Sequence, residues 1–226
     1  MLKASLLVAI FLMSPYLLLA QAKKTQYWPL DNADQVEVQG VEINLVTYEG
    51  IKSLRVDHVE GAGDAHFAKL PVHDFHNGII ELELAGKPGD NAGQGARGFV
   101  GVAFRITDNN THFECFYLRP ANGRAYDQLR RNHSTQYISS PDYPWYRLRE
   151  ETPGKYESYV DLVPGDWTRL RIEVSGEKAK LFVHGSEQPC LIVNDLKLGP
   201  DLKGSVGLWV GAGTEAYFAN LTVVNR

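Results

Sequence analysis

From Val36 onward, apolar residues recur at every second position, in short runs punctuated by Gly, Asp, Asn and Pro, and no stretch keeps a helical period for three turns. Alternation sends successive side chains to opposite faces of an extended chain, so such runs must pair into sheets and bury one face of each. Ile80, Leu82 and Leu84 alternate with Ile79, Glu81 and Glu83, and Val100, Val102, Phe104 and Ile106 alternate with Phe99, Gly101, Ala103 and Arg105. Leu170, Ile172 and Val174 form a third apolar face, Val206, Leu208 and Val210 a fourth, and Tyr217, Ala219, Leu221 and Val223 a closing one. The expected fold is all-β, a jelly-roll or sandwich of two antiparallel sheets packed face to face.

The 226 residues carry 44% hydrophobic and 22% charged side chains, which argues against disorder, and a net charge of -4 gives no global attraction to nucleic acid or an anionic membrane. The first residues stand apart. Lys3 precedes an apolar run from Leu6 to Ala20 that ends in Ala20-Gln21-Ala22, the pattern of a secretory signal. The run is too short, and too broken by Pro15, for a membrane span. Residues 1–22 are therefore expected to be a signal peptide and 23–226 one domain, secreted or periplasmic. An oxidising compartment would permit Cys115 to pair with Cys190, and two buried free thiols are the alternative. Sequons stand at Asn109, Asn132 and Asn220, and they matter only in a eukaryotic host.

Neither a linker nor an internal repeat interrupts the domain, but the segment from Arg119 to Glu151 is longer than an ordinary connection. It holds six of the twelve arginines (Arg119, Arg124, Arg130, Arg131, Arg147, Arg149) and no lysine, together with Tyr126, Tyr137, Tyr143, Trp145 and Tyr146. Such a segment is functional or contains a hairpin of its own.

The order of the runs adds a resemblance. Phe75-His76-Asn77-Gly78-Ile79-Ile80-Glu81, Gly98 to Arg105, and Gly165-Asp166-Trp167 leading into Thr168 to Val174 resemble the concanavalin A-like lectin/glucanase superfamily. Within it, the stretches Gly101 to Arg105, Glu114 to Arg119, Gly204 to Trp209 and Phe218-Ala219-Asn220-Leu221 look most like the bacterial 3-keto-disaccharide hydrolase-like domains. The sequence departs from that family at Trp209, where a glutamine is common, and lacks Asn-Ser-Gly before the arginine strand. The resemblance implies a jelly roll with a saccharide cleft on its concave face, and its transfer of activity is an analogy.

A saccharide site needs flat aromatics and planar hydrogen-bonding groups. Trp209 is expected on the face opposite Val206, Leu208 and Val210, between Gly207 and Gly211, either as a sugar platform or as filler under the long loop. Arg105 is expected on the non-core face behind Gly101 and Ala103, as a ligand or as half of a surface ion pair. In the next strand His112, Glu114, Phe116 and Leu118 share one face and Phe113, Cys115, Tyr117 and Arg119 the other, and the sequence leaves open which meets the core. Arg105, Tyr117, Arg119, Arg124, Tyr126, Trp145 and Trp209 are thus the candidate substrate-binding residues, and Glu114 and Asp127 the candidate catalytic carboxylates.

The chain lacks the Glu-x-Asp-x-x-Glu strand of laminarinase-type members, so two-carboxylate glucanase chemistry is not expected. Cleavage of a 3-keto-glycoside by elimination would need only one base, Glu114 or Asp127, and an electrophile, Arg105 or Arg119. His73 and His76 read as turn residues rather than metal ligands. Asp90-Asn91 offers oxygens to Ca²⁺ without a loop motif, so no cofactor or metal is expected.

The arginine preference of the 119–151 segment suits a carboxylate or sulfate, which guanidinium holds in bidentate geometry, and points to an anionic glycan as partner. The competing explanation pairs these arginines with Asp127, Asp142, Glu150 and Glu151 to pin the loop. Three functions follow: a secreted carbohydrate-binding protein, a 3-keto-glycoside hydrolase or lyase, and a laminin-G-like protein-binding module.

Overall fold

A computed structural model describes residues 24–61 and 65–226, so the expected signal peptide lies outside the described residues. Among the described residues, fifteen strands, numbered in chain order, form two antiparallel sheets. Across the first run β13 (Leu191–Val193), β12 (Lys178–Val183), β11 (Thr168–Ser175), β6 (Gly78–Pro88), β15 (Thr214–Asn225), β4 (Ile51–His58) and β3 (Val41–Tyr48), with β1 (Lys24–Trp28) against the end of β15. Across the second run β10 (Glu157–Ser158), β9 (Thr135–Ser140), β8 (Phe113–Leu118), β7 (Val100–Ile106), β14 (Ser205–Val210), β5 (Phe67–Lys69) and β2 (Glu37–Gln39).

The alternation read from the sequence builds the core. Ile80, Leu82 and Leu84 of β6 and Leu170, Ile172 and Val174 of β11 meet Val100, Val102 and Phe104 of β7 and Val206, Leu208 and Val210 of β14 in one buried cluster. Each such side chain contributes about 1.5–3 kcal/mol by leaving water.

Two strands break the alternation where one residue takes a left-handed conformation. In β7, Arg105 has φ +54° and the pairing with β14 slips at Ser205, so Ile106 joins the outer face rather than the core. In β15, Asn220 has φ +54° and the register against β6 shifts between Ala219 and Thr222. Ala216 and Phe218 face the core before that shift, and Leu221 and Val223 after it. The expected face of Tyr217, Ala219, Leu221 and Val223 is therefore corrected: a bulge inserts one residue and exchanges the faces, and Tyr217 stacks on Tyr48 on the outside, with ring centroids 3.7 Å apart.

The long arginine-bearing segment supplies β9, which widens the second sheet beyond β8, and three short helices: α1 (Pro120–Gly123), α2 (Gln128–Asn132) and α3 (Trp145–Glu151). Cys115 is buried and Cys190 half-buried, and both are free thiols. Among the described residues, no helix is long and apolar enough to cross a membrane.

Candidate functional site

One row of paired residues crosses the outer face of the second sheet: Glu157 of β10, Gln136 of β9, Tyr117 of β8, Gly101 of β7, Trp209 of β14 and Phe67 of β5. Its fourth member, Gly101, has no side chain, and a Cβ there would lie 2.2 Å from the Phe116 carbonyl oxygen and 2.5 Å from Tyr117 Cβ. The rings of Tyr117 and Trp209 lean together over it, with centroids 4.8 Å apart. Phe67, Ile106, Phe113 and Cys115 complete a second apolar cluster around them.

This cluster closes the part of the face where a sugar platform was expected. Trp209 does project opposite Val206, Leu208 and Val210, but it is only 8% exposed, and Tyr117 is buried beside it. Gly211 does not leave the indole open, since Phe99 packs against it there. Phe99 and Tyr117 supply apolar cover on that side, which outweighs the shallow glycines that the sequence suggested would leave Trp209 free.

Arg105 is a second correction. The left-handed turn at this residue swings its side chain off the outer face, and the guanidinium is fully buried. It donates to the carbonyls of His76 (2.8 and 3.0 Å), Gly176 (2.7 Å) and Gly199 (3.0 Å), and so fastens three loops at one end of the sandwich. Burial holds its pKa below the usual arginine value, and the nearby charge of Glu114 only partly offsets this.

Glu114 is the third. With Phe116 and Leu118 in the core, Glu114 faces inward too, and it is fully buried. Its carboxylate accepts from the Tyr137 hydroxyl (2.5 Å) and the Leu198 amide (2.9 Å), and the same hydroxyl accepts from the Lys197 amide (2.9 Å). Burial raises its pKa, and the hydrogen bonds only partly counter this. A carboxyl enclosed in this way anchors the loop after β13 and cannot reach a substrate on the outer face.

The open part of the face lies beyond Arg119. Arg119, the residue after β8 and the cap of α1, donates to the Tyr117 hydroxyl (2.8 Å), to Gln136 Oε1 (3.0 Å) and to Glu157 Oε1 (3.2 Å). Glu157 is the buried hub of this corner, for Arg149 also donates to its carboxylate and His133 Nε2 lies 3.2 Å from it. Above these groups opens a depression of about 580 Å³ lined by Arg97, Arg119, Arg130, Arg149, Trp145 and Asp127, among others.

Helix geometry explains how the segment presents these groups. In α3, Leu148 is buried while Trp145 and Arg149, four residues apart and hence on one side, face the depression. The Arg149 and Arg119 guanidinium carbons lie 4.7 and 5.8 Å from the Trp145 ring centroid, within cation–π range, and the indole remains 43% exposed. Asp127 caps α2 by accepting from the Arg130 amide (2.7 Å), and Arg130 Nε donates to Asn122 (2.9 Å).

The remaining candidates sit on the neighbouring rim. Arg124 forms an exposed bidentate pair with Asp161 (2.8 and 2.9 Å), and Tyr126 is fully exposed. The expected pairing of the arginines with carboxylates of their own segment holds only for Arg147 with Glu151, while Arg119 and Arg149 use Glu157 and Arg124 uses Asp161. Arg97 and Arg130 form no ion pair among the described residues. Arg97, from the glycine-rich loop between β6 and β7, together with His133 and Glu157, was missed in the sequence reading, because no local pattern marks residues that converge from separate loops. Among the described residues, no group of His, Cys, Asp and Glu is placed to hold a metal ion.

Neither a family model nor a curated protein matches the chain. Solved structures do, and three of them are each 14% identical and cover 89% of this chain. They are a Bacillus subtilis protein of unknown function with a galectin-like fold (96% of that chain, TM-score 0.56), a transglycosylase in complex with NAG (84%, 0.54) and a Bacillus licheniformis beta-glucanase (98%, 0.50). The fold is the concanavalin A-like jelly roll. In this jelly roll the centre of one outer face is closed by aromatic packing, and the arginine-lined depression lies beside it.

Proposed function

We propose that the protein binds an acidic saccharide in the depression between α2, α3 and the glycine-rich loop. One observation carries this reading: four arginines and a half-exposed tryptophan line the depression, and two of those arginines, Arg97 and Arg130, lack a carboxylate partner among the described residues. Arg97 spends donors on the carbonyls of Gln94 (2.6 Å) and Ala96 (2.7 Å), and Arg130 on Asn122 (2.9 Å) and Ala121 (3.2 Å). Burial first, then the charges of Arg130 and Arg119, hold the Arg97 pKa below its ordinary value, so a bound anion relieves repulsion already present.

A carboxylate or sulfate supplies that anion and accepts from guanidinium in bidentate fashion. The pyranose ring that bears it offers CH groups to the exposed part of Trp145. Saccharide as the ligand class draws support from the jelly-roll neighbours, which include a beta-glucanase and a transglycosylase bound to NAG.

Two-carboxylate hydrolysis draws less support. Glu114, one of the two candidate bases, is sealed in the core, and among the described residues Asp127 is the single carboxylate lining the depression, where two-carboxylate cleavage needs a pair. Secretion of the domain, with residues 1–22 as its signal, remains part of the proposal. Titrating the protein by calorimetry with oligosaccharides of galacturonate, mannuronate and heparin, and with neutral cello- and xylo-oligosaccharides, tests it. Binding confined to acidic chains is expected; equal binding of neutral ones, or none at all, contradicts it.

A further inference from the structure

A second depression of about 630 Å³ adjoins the first and shares Asp127 and Arg130 with it. Its lining differs in kind. Pro120, Leu162 and Pro164 give it an apolar floor, and Tyr126, fully exposed, and Arg124, ion-paired to Asp161, stand at its margin. The two are neighbouring compartments: one cationic with an indole wall, the other apolar with a phenol, and Arg130 belongs to both.

We infer that the two depressions form one groove, and that the ligand is a chain of several sugar units, with an acidic unit among the arginines and the next units laid over Tyr126 and Pro164. The inference rests on the acidic-saccharide reading above and extends it from a sugar to a polymer. A saccharide unit has the two surfaces required, an acid and hydroxyl edge for guanidinium and a CH face for an aromatic ring or a proline. Each compartment falls in the size range of small-molecule sites, so a single ring fills only part of the groove. Tyr126 has its ring in water, where it has no structural task in the fold, and α1 holds the floor in place: a Cβ on Gly123 would lie 2.4 Å from the Leu162 amide nitrogen, so this glycine lets α1 close on the Leu162 strap.

Chain length is the discriminating variable. Affinities are measured by calorimetry for the monosaccharide and the tetrasaccharide of the galacturonate, mannuronate and heparin series, with the wild-type protein, Tyr126→Ala and Trp145→Ala. The tetrasaccharide of at least one series is expected to bind at least about tenfold more tightly than its monosaccharide. Tyr126→Ala is expected to weaken the tetrasaccharide by roughly five- to tenfold, the scale of one aromatic contact, and to leave the monosaccharide unchanged. Trp145→Ala is expected to weaken both. Affinity independent of chain length, or a Tyr126→Ala protein that binds the tetrasaccharide as the wild type does, overturns the extended groove while leaving the acidic-sugar site standing. Failure of every acidic saccharide to bind overturns both.

Discussion

Arg119 Nη2 donates to the Tyr117 hydroxyl at 2.8 Å, and these two residues, one near the end of β8 and one just past it, mark the line where the outer face changes character. On the Tyr117 side the face is closed by aromatic and aliphatic packing around Trp209; on the Arg119 side it opens into a cationic depression held by Glu157. The same row of the sheet thus serves first as a second small core and then as the base of a site.

Because the depression rather than the centre of the sheet is the site, its exposed indole should matter to ligand and little to the fold. Trp145→Ala is expected to weaken binding of an acidic oligosaccharide at least tenfold, about 1.4 kcal/mol, and to lower stability by less than about 1 kcal/mol. Arg130→Met should likewise weaken binding and make what remains less sensitive to salt. Calorimetry at two ionic strengths and a denaturation curve for each variant check this. A Trp145→Ala protein with wild-type affinity would place the ligand elsewhere.

Glu157 is enclosed by Arg119, Arg149 and His133, and its loss leaves buried positive charge without compensation. Glu157→Gln is expected to destabilise the protein by about 3 kcal/mol, the lower end for breaking a buried pair, since Arg149 is partly exposed. Urea denaturation reads this directly. A change below about 0.5 kcal/mol would mean that water reaches the hub.

Gly101 gives Tyr117 and Trp209 the space to meet. Gly101→Ala forces its new methyl group against the Phe116 carbonyl, at 2.2 Å, so backbone must move rather than a flexible side chain. A loss of about 3 kcal/mol is expected, at the upper end for overpacking, together with a changed tryptophan fluorescence spectrum. An unchanged spectrum and midpoint would contradict the row described above.

The buried Glu114 sets a pH dependence of known sign. Burial raises its pKa in the folded protein, so the native state holds this proton to higher pH than the unfolded chain does. The stability from that proton is fully present below the unfolded carboxyl pKa and is lost as pH rises through the folded value. Glu114→Gln, which keeps an acceptor for the Leu198 amide, should remove this loss. Its stability relative to wild type is expected to improve as pH increases from about 4, with ligand binding unaltered. Denaturation as a function of pH tests the slope, and loss of binding in the variant would restore a functional role for Glu114.

What the sequence disclosed and what it hid divide along physical lines. The inward faces of β6, β11 and β14 were legible because period-two alternation follows from the extended chain itself. Arg105 and Asn220 escaped, since nothing in a local pattern announces a left-handed residue, and one such residue exchanges every face beyond it. The arginine-rich segment was legible as an anomaly of composition, yet its carboxylate partners, Glu157 and Asp161, lie outside it and are brought in by β10 and the chain that follows. Trp209 was placed on the correct side of its strand, but its cover came from Tyr117 and Phe99, on β8 and just before β7, which only the pairing of strands reveals.

The central claim is that charge on the sugar, met by Arg97 and Arg130, selects the ligand. The most direct measurement compares the affinity of one acidic oligosaccharide with that of its carboxyl-reduced form, identical in length and linkage but neutral. At least a tenfold loss on reduction, about 1.4 kcal/mol, abolished in an Arg97→Met/Arg130→Met protein, is the predicted result. Equal affinity for the two forms would contradict it.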